Sequence, residues 1–202
     1  LIKELDIQLY KPMGPISNLL EIIENNYAFL SRYNNASSTV IEAIDKKNLK
    51  RVVIKQGFAE EKADARNIDK KFQIKNEARI LRHLNSYKFP SPTLIDYIES
   101  NNESLLIIEH VDGTPLNSAL FSKFQLQFEI EKLINLLHRY EIVHADLKET
   151  NILVDSVGKL SLIDFGSSGF INEKIPTSTA TTGYYDVNKK QLFLTTELDL
   201  YS

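Results

Sequence analysis

Two short stretches concentrate the side chains able to do chemistry. "HADLKETN" occupies 144–151 and "LIDFG" occupies 162–166. Each sets an aspartate, Asp146 or Asp164, at the edge of an extended apolar element, and Asn151 follows shortly after Asp146. A tight hairpin between the two stretches would bring 164 back beside 151. Two carboxylates and an amide make an all-oxygen donor set, which suits Mg2+ and not zinc. Magnesium is held through one or two carboxylates together with substrate phosphates, so the set points to a nucleotide. Taken singly, each aspartate reads as a turn cap. Taken in order, the set reads as a site.

The elements that must position these groups can be followed along the chain. A short helix signal, "NLLEIIENN", follows Ser17, after an alternating piece "LDIQLY". Three strand-like runs come next, "YAFLSRY", "STVIEAID" and "KRVVIKQ", with "KKN" at 46–48 as a hairpin turn. Residues 59–85 lack Gly and Pro and carry Ile68, Phe72, Ala78, Leu81 and Leu84 at helical spacing, which predicts one long helix or a loop and a helix. "FPSP" at 89–92 ends it. "TLIDYIE" and "SLLIIEHV" form a second hairpin. After "DGTP" the pattern turns helical: Leu126, Ile130, Leu133, Ile134 and Leu137 share one face, and the short strands "ILVD" and "KLSLID" follow. A strand-rich N-terminal part therefore joins a helical part with a small inserted sheet near 109–115.

Composition bounds the function. The chain has 202 residues, 43% hydrophobic and 25% charged, with a formal net charge of −3, enough for one large domain or two small lobes. That balance argues against a nucleic-acid partner. The absence of cysteine excludes disulfides and thiolate metal sites and fits a reducing compartment, so a cytoplasmic location is expected. No apolar run approaches the ~18 residues of a membrane span, and no signal peptide is visible, so no membrane partner is expected. The chain opens at Leu1 and closes on "TTELDLYS", which reads as the start of a helix. A piece of a longer polypeptide is expected.

The order "VVIK", "NEARIL", "HADLKETN", "IDFG" resembles the protein kinase superfamily of Ser/Thr type, from about Tyr27 to the end of the chain. The resemblance implies an α+β, bilobal protein-kinase-like fold with a β-rich N-lobe and a helical, truncated C-lobe. Residues 1–26 would be an N-terminal extension, 27–108 the N-lobe, and 109–202 the hinge and partial C-lobe. It implies ATP and Mg2+ as cofactors. Lys55 would hold the α- and β-phosphates, and Glu77 would pair with Lys55, with Glu60 and Glu61 as competitors for that place. Asp146 would accept the proton of the attacking hydroxyl, Lys148 would neutralise charge on the transferring group, and Asn151 and Asp164 would hold Mg2+. His144 would be a packed residue of the turn. Glu109 to Val111 would read adenine through backbone groups with Ile108 beside them, and Val40, Val53 and Leu153 would sandwich the ring. "ATTGYYD" resembles the end of an activation segment, with Thr181 reaching Asp146 and Lys148, and Asp199 in "LDLYS" would brace the catalytic loop.

Four departures qualify the resemblance. "YNNASSTV" puts Tyr33, Asn35 and Ser38 where the family has the glycines that let backbone approach phosphate. Ala145 stands where the family's arginine docks an activation-loop phosphate, so control through phosphorylation of Thr177, Ser178 or Thr179 is not expected. The A-P-E motif is absent, with Asn188 near the place of its Glu, and the helices that follow Asp199 in the family lie outside the chain. Further, "RYNNASSTVIEAID", "VVIKQGFAEEKADAR" and "KNEARILRHL" are similar to the kinase domain of class III and IV lanthipeptide synthetases. That resemblance implies a bacterial enzyme, a precursor-peptide acceptor, and lyase and cyclase domains on the same polypeptide. The expected function is ATP-dependent phosphoryl transfer to Ser/Thr hydroxyls of a peptide or protein. The alternatives are a pseudokinase that serves as an ATP-binding scaffold and a small-molecule kinase.

Overall fold

A computed structural model describes residues 18–34, 39–59, 69–118, 123–174 and 194–200. The expectations for "LDIQLY", Asn35, Ser38, Glu60, Glu61, Ile68, Thr177 to Thr179, Thr181 and Asn188 lie outside the described residues.

Five antiparallel strands build the N-terminal sheet: β1 (Tyr27–Asn34), β2 (Thr39–Asp45), β3 (Arg51–Phe58), β4 (Leu94–Glu99) and β5 (Glu103–Glu109). Their spatial order is β1-β2-β3-β5-β4. Period-two alternation splits the sheet into two faces. Ile41, Val52, Ile54, Leu105 and Ile107 point to one side, where they pack with Leu19, Leu20 and Ile23 of helix α1 (Asn18–Glu24). Each such buried side chain contributes roughly 1.5–3 kcal/mol. Thus α1, which precedes the strand-rich stretch in sequence, forms part of that stretch's core. Leu106 and Ile108 point to the other side, onto helix α2 (Lys70–Ser86) and the C-terminal half. The 46–48 turn is closed locally: Asp45 accepts from the Lys47 N–H at 2.8 Å, Asn48 accepts from the Lys50 N–H at 2.8 Å, and Leu49 takes a left-handed φ of 61°.

Asp69 caps α2 by accepting from the Phe72 N–H at 2.7 Å. The described part of the 59–85 stretch is therefore a capped helix beginning at Lys70. Its buried stripe runs through Ile74, Ala78, Leu81 and Leu84. Phe72, expected on that stripe, is 44% exposed, because the capped start puts Ile74 on the inward face in its place. Gly57 of β3 faces the first turns of α2. A Cβ there would lie 2.7 Å from the Lys70 carbonyl carbon and oxygen and 2.9 Å from Ile74 Cδ1.

The C-terminal part holds α3 (Lys123–Arg139) and three short strand pairings. β6 (Thr114–Pro115) pairs with β8 (Ile152–Val154), which pairs with β9 (Leu160–Leu162), and β7 (Ile142–Val143) pairs with β10 (Gly169–Phe170). Helix α4 (Glu197–Leu200) closes the described residues. Leu126, Leu133, Ile134 and Leu137 are buried in one cluster with β8, β9 and the inner face of α2. The α+β, bilobal class read from the sequence is the class observed. The two-residue strands β6, β7 and β10 were not legible, since so short a piece carries no periodicity.

Gly57→Ala is expected to lower stability by about 1–3 kcal/mol, because its methyl meets backbone that cannot rotate away. A shift of the urea midpoint checks it; an unchanged midpoint would mean that α2 does not press on β3.

Candidate active site

Lys55 lies on β3 on the α2 side of the sheet, between Ile54 and Gln56, which are buried on the opposite face. Its Nζ donates to both oxygens of Glu77, at 2.8 and 2.9 Å, and to Asp164 Oδ1 at 2.9 Å. Glu77 comes from the middle of α2 and Asp164 from the end of the hairpin after β9, so three separate elements meet on one ammonium group. The Glu77 side chain is 2% exposed, Lys55 15% and Asp164 49%. Glu77 Oε1 also accepts from the Phe165 N–H at 3.3 Å.

The electrostatics follow from this geometry. Burial works against the charge on Lys55, but Asp164 and Glu77 outweigh it and hold its pKa above the ordinary lysine value. Burial pushes Glu77 up, against the pull of Lys55 and with the push of Asp164. The Lys55 charge holds Asp164 below the usual carboxylate range, against burial. Solvent reaching the half-exposed Asp164 screens much of that attraction. With both carboxyls ionised, one ammonium faces two of them, and the trio carries excess negative charge.

Asp146 and Asn151 sit on the loop between β7 and β8. The Asn151 Nδ2 donates to the Asp146 carbonyl at 2.9 Å and to Asp146 Oδ2 at 3.3 Å, and Lys148 Nζ donates to Asp146 Oδ2 at 2.8 Å. The hairpin returns 163 to this loop, where the Ile163 N–H donates to the Asn151 carbonyl at 3.0 Å. Backbone strain gathers at both stretches: Ala145 has φ 62° and Asp164 φ 67°, left-handed values unusual for residues with a Cβ. Asp199 braces the first of them. Its Oδ2 accepts from the His144 N–H at 2.8 Å and its Oδ1 from the Ala145 N–H at 2.9 Å, and Oδ2 lies 3.0 Å from His138 Nε2. His144 is fully buried, with Nε2 3.0 Å from the Ile163 carbonyl.

A cavity of about 380 Å3 opens between the lobes beside these groups. Val40, Val53, Lys55, Ile108, Glu109, Val111, Asn151, Leu153 and Asp164 all line it. The structure therefore gathers the apolar residues expected around a base and the polar residues expected around phosphate on one wall system. Val53, ambiguous in the sequence, faces the cavity because its neighbours Val52 and Ile54 face α1. Gly113, Pro92 and Ile163 also line it and were not singled out beforehand. At the joint, the Glu109 N–H is taken by the Thr93 carbonyl and the His110 N–H by the Arg51 carbonyl. The Val111 N–H has no hydrogen-bond partner among the described residues. Among the described residues no three His, Asp or Glu side chains gather into a self-sufficient metal site. The donor set of one carboxylate (Asp164) and one amide oxygen (Asn151) fits a hard divalent ion that takes further oxygens from a phosphate ligand.

Comparison with known proteins decides the family. The Protein kinase domain family model matches residues 35–202. The chain belongs to the protein kinase domain family. It is 32% identical over 111 residues to the dual specificity protein kinase zak2 of Dictyostelium discoideum, covering 50% of this chain and 16% of that protein. It is 37% identical over 109 residues to the serine/threonine-protein kinase PknA of Nostoc sp., covering 50% of this chain and 19% of the relative. A serine/threonine-protein kinase-like protein of Arabidopsis thaliana is 35% identical over 88 residues, covering 42% of this chain and 26% of its own length. The chain thus spans about a quarter or less of the length of these relatives. No described helix of this kinase domain is long and apolar enough to cross a membrane.

Asp199→Asn is expected to cost about 2 kcal/mol of stability, since the amide can turn only one acceptor toward two loop N–H donors. Denaturant unfolding reads it; a loss under about 0.5 kcal/mol would mean the loop is held by other contacts.

Proposed function

We propose that this kinase domain transfers the γ-phosphoryl group of ATP to a Ser or Thr hydroxyl of a protein or peptide. One observation carries the reading: Lys55 is bonded to Glu77 and Asp164 together, at the wall of a cavity that also presents Asn151. Phosphoryl transfer asks for positioning and charge neutralisation more than covalent chemistry, and this trio supplies both. ATP would place its base between Val40, Val53 and Leu153, with the free Val111 N–H and the Glu109 carbonyl available to its edge. Lys55 would hold the α- and β-phosphates, with Glu77 fixing its direction. Asn151 and Asp164 would hold Mg2+, which supplies neutralisation of the phosphate oxygens. Asp146 would take the proton of the attacking hydroxyl, and Lys148, already 2.8 Å from it, would offset charge on the group in transit.

The dual specificity and serine/threonine-protein kinases among its relatives support a protein acceptor. A lanthipeptide precursor, with lyase and cyclase domains on the same polypeptide, is a narrower acceptor that rests on the sequence likeness of 32–45, 52–66 and 75–84 alone. The loop at 33–38, without the family's glycines, favours a second reading as a nucleotide-binding scaffold.

Incubation of the full chain with γ-labelled ATP, Mg2+ and a panel of Ser/Thr peptides, precursor peptides and small alcohols separates these readings. Label on peptide Ser/Thr, lost by about 100-fold or more in Asp146→Asn, is the expected result. Nucleotide binding without transfer would establish the scaffold, and transfer confined to small alcohols would overturn the protein acceptor. Asp164→Asn is expected to weaken Mg2+-dependent nucleotide binding by at least about tenfold with the fold intact. Calorimetric titration with Mg2+ and with EDTA measures it, and equal affinity in the variant would remove Asp164 from the metal site.

A further inference from the structure

Glu77 reaches Lys55 only if α2 keeps one rotation about its axis. Ion pairing with Lys55 does not by itself set that rotation, because both side chains are long. A second contact lies beside it on the same helix. Asn76, 4% exposed, donates from Nδ2 to the Gly166 carbonyl at 3.0 Å and to the Ser168 carbonyl at 2.7 Å. Its Oδ1 accepts from Arg79 Nε at 3.3 Å and Nη2 at 2.7 Å. The amide of Asn76 thus has both hydrogens and its oxygen committed, and its orientation is fixed.

Arg79 then reaches across to the other half of the molecule. It meets Glu173 through Nη1 to Oε1 at 2.9 Å and Nη2 to Oε2 at 3.1 Å, a two-pronged charge-assisted contact. Its guanidinium also lies 5.3 Å from the centroid of the Phe170 ring. Glu173 is itself anchored. Its Oε2 accepts from the Phe170 N–H at 2.8 Å, its N–H donates to the Phe170 carbonyl at 2.9 Å, and its carbonyl accepts from the Leu194 N–H at 2.9 Å. The neighbouring Ile171 N–H donates to the Glu141 carbonyl at 2.8 Å. The turn at 170–173 is therefore part of the C-terminal half, and α2 is bolted to it next to the catalytic trio.

We propose that Arg79, gripping Asn76 and Glu173 together, is a positioning residue that holds α2 at the rotation in which Glu77 engages Lys55 and the Phe165 N–H. The fixed carboxylate of Glu173 makes the engaged arrangement a property of the folded chain. Release of the 170–173 turn would free Arg79, loosen Asn76 from the carbonyls of 166 and 168, and let Glu77 swing from Lys55. The proposal rests on the phosphotransfer reading for its kinetic consequence, not for its geometry.

Arg79 and Glu173 are partly exposed, so their exchange leaves the core intact. Arg79→Met and Glu173→Gln are compared with the wild-type full chain by hydrogen exchange and by steady-state kinetics. Exchange at the amides of Phe165 to Ser168 is expected to rise about tenfold in either variant, with β2 and β3 unchanged. The kcat should fall about tenfold while KM for ATP moves less than about threefold, and Arg79→Lys, lacking the two-pronged fork, should recover only part of the loss. Wild-type exchange at 165–168 in both variants overturns the clamp, as does a rise spread evenly over the sheet. A wild-type chain that transfers no phosphate sinks the phosphotransfer reading instead, and the exchange result still decides the clamp.

Discussion

A single buried ammonium group with two acidic partners organises this molecule. Lys55 from the sheet, Glu77 from α2 and Asp164 from the C-terminal hairpin come from three separate elements and meet on one ammonium group. Bringing them together costs desolvation, above all for Glu77, whose acidity is weakened by burial. Two charge-assisted contacts to Lys55 and the Phe165 N–H offset that cost. Because the acids outnumber the base, the site keeps an appetite for positive charge. Under the proposed function a phosphate chain carrying a divalent ion would answer it, with the phosphates meeting Lys55 and the ion meeting Asp164 and Asn151.

The rest of the structure keeps this meeting point in register. Hydrophobic burial on both sheet faces sets β3, with α1 behind it and α2 in front. Gly57 lets α2 approach β3 closely enough for Glu77 to span the gap. On the other side, Asp199 gathers the His144 and Ala145 N–H groups and holds Ala145 in a left-handed conformation, which turns Asp146 toward Asn151 and Lys148. Ala145 and Asp164, two of the six described non-glycine residues with a positive φ, are each next to or part of the polar set, so part of the backbone strain sits where direction matters.

Much of this was legible in residue order. Strands β1 to β5 announced themselves as short apolar- and aromatic-rich runs between polar turns, and α3 by Leu126, Leu133, Ile134 and Leu137 at helical spacing. The polar cluster was legible because the proposed chemistry needs particular residue types at fixed separations. Pairings between distant residues were not. Asn76 and Arg79 stand at i,i+3 on one helix, but nothing in the sequence says that Glu173 meets them, since that contact spans the chain and depends on the turn at 170–173. The inward face of α2 was misjudged at Phe72 because the start of the helix was undefined without the Asp69 cap. Gly57 had a signal that went unread: a lone glycine inside a strand pattern marks close backbone approach.

The central claim is that Lys55 and Glu77 are needed by each other. Urea unfolding of the wild type, Lys55→Met, Glu77→Gln and the double variant at neutral pH tests it most directly. Glu77→Gln should destabilise the wild-type background yet stabilise the Lys55→Met background, because there it removes a buried acid left without its partner, with a coupling of about 1–3 kcal/mol. Costs that simply add, within about 0.3 kcal/mol, would contradict the account.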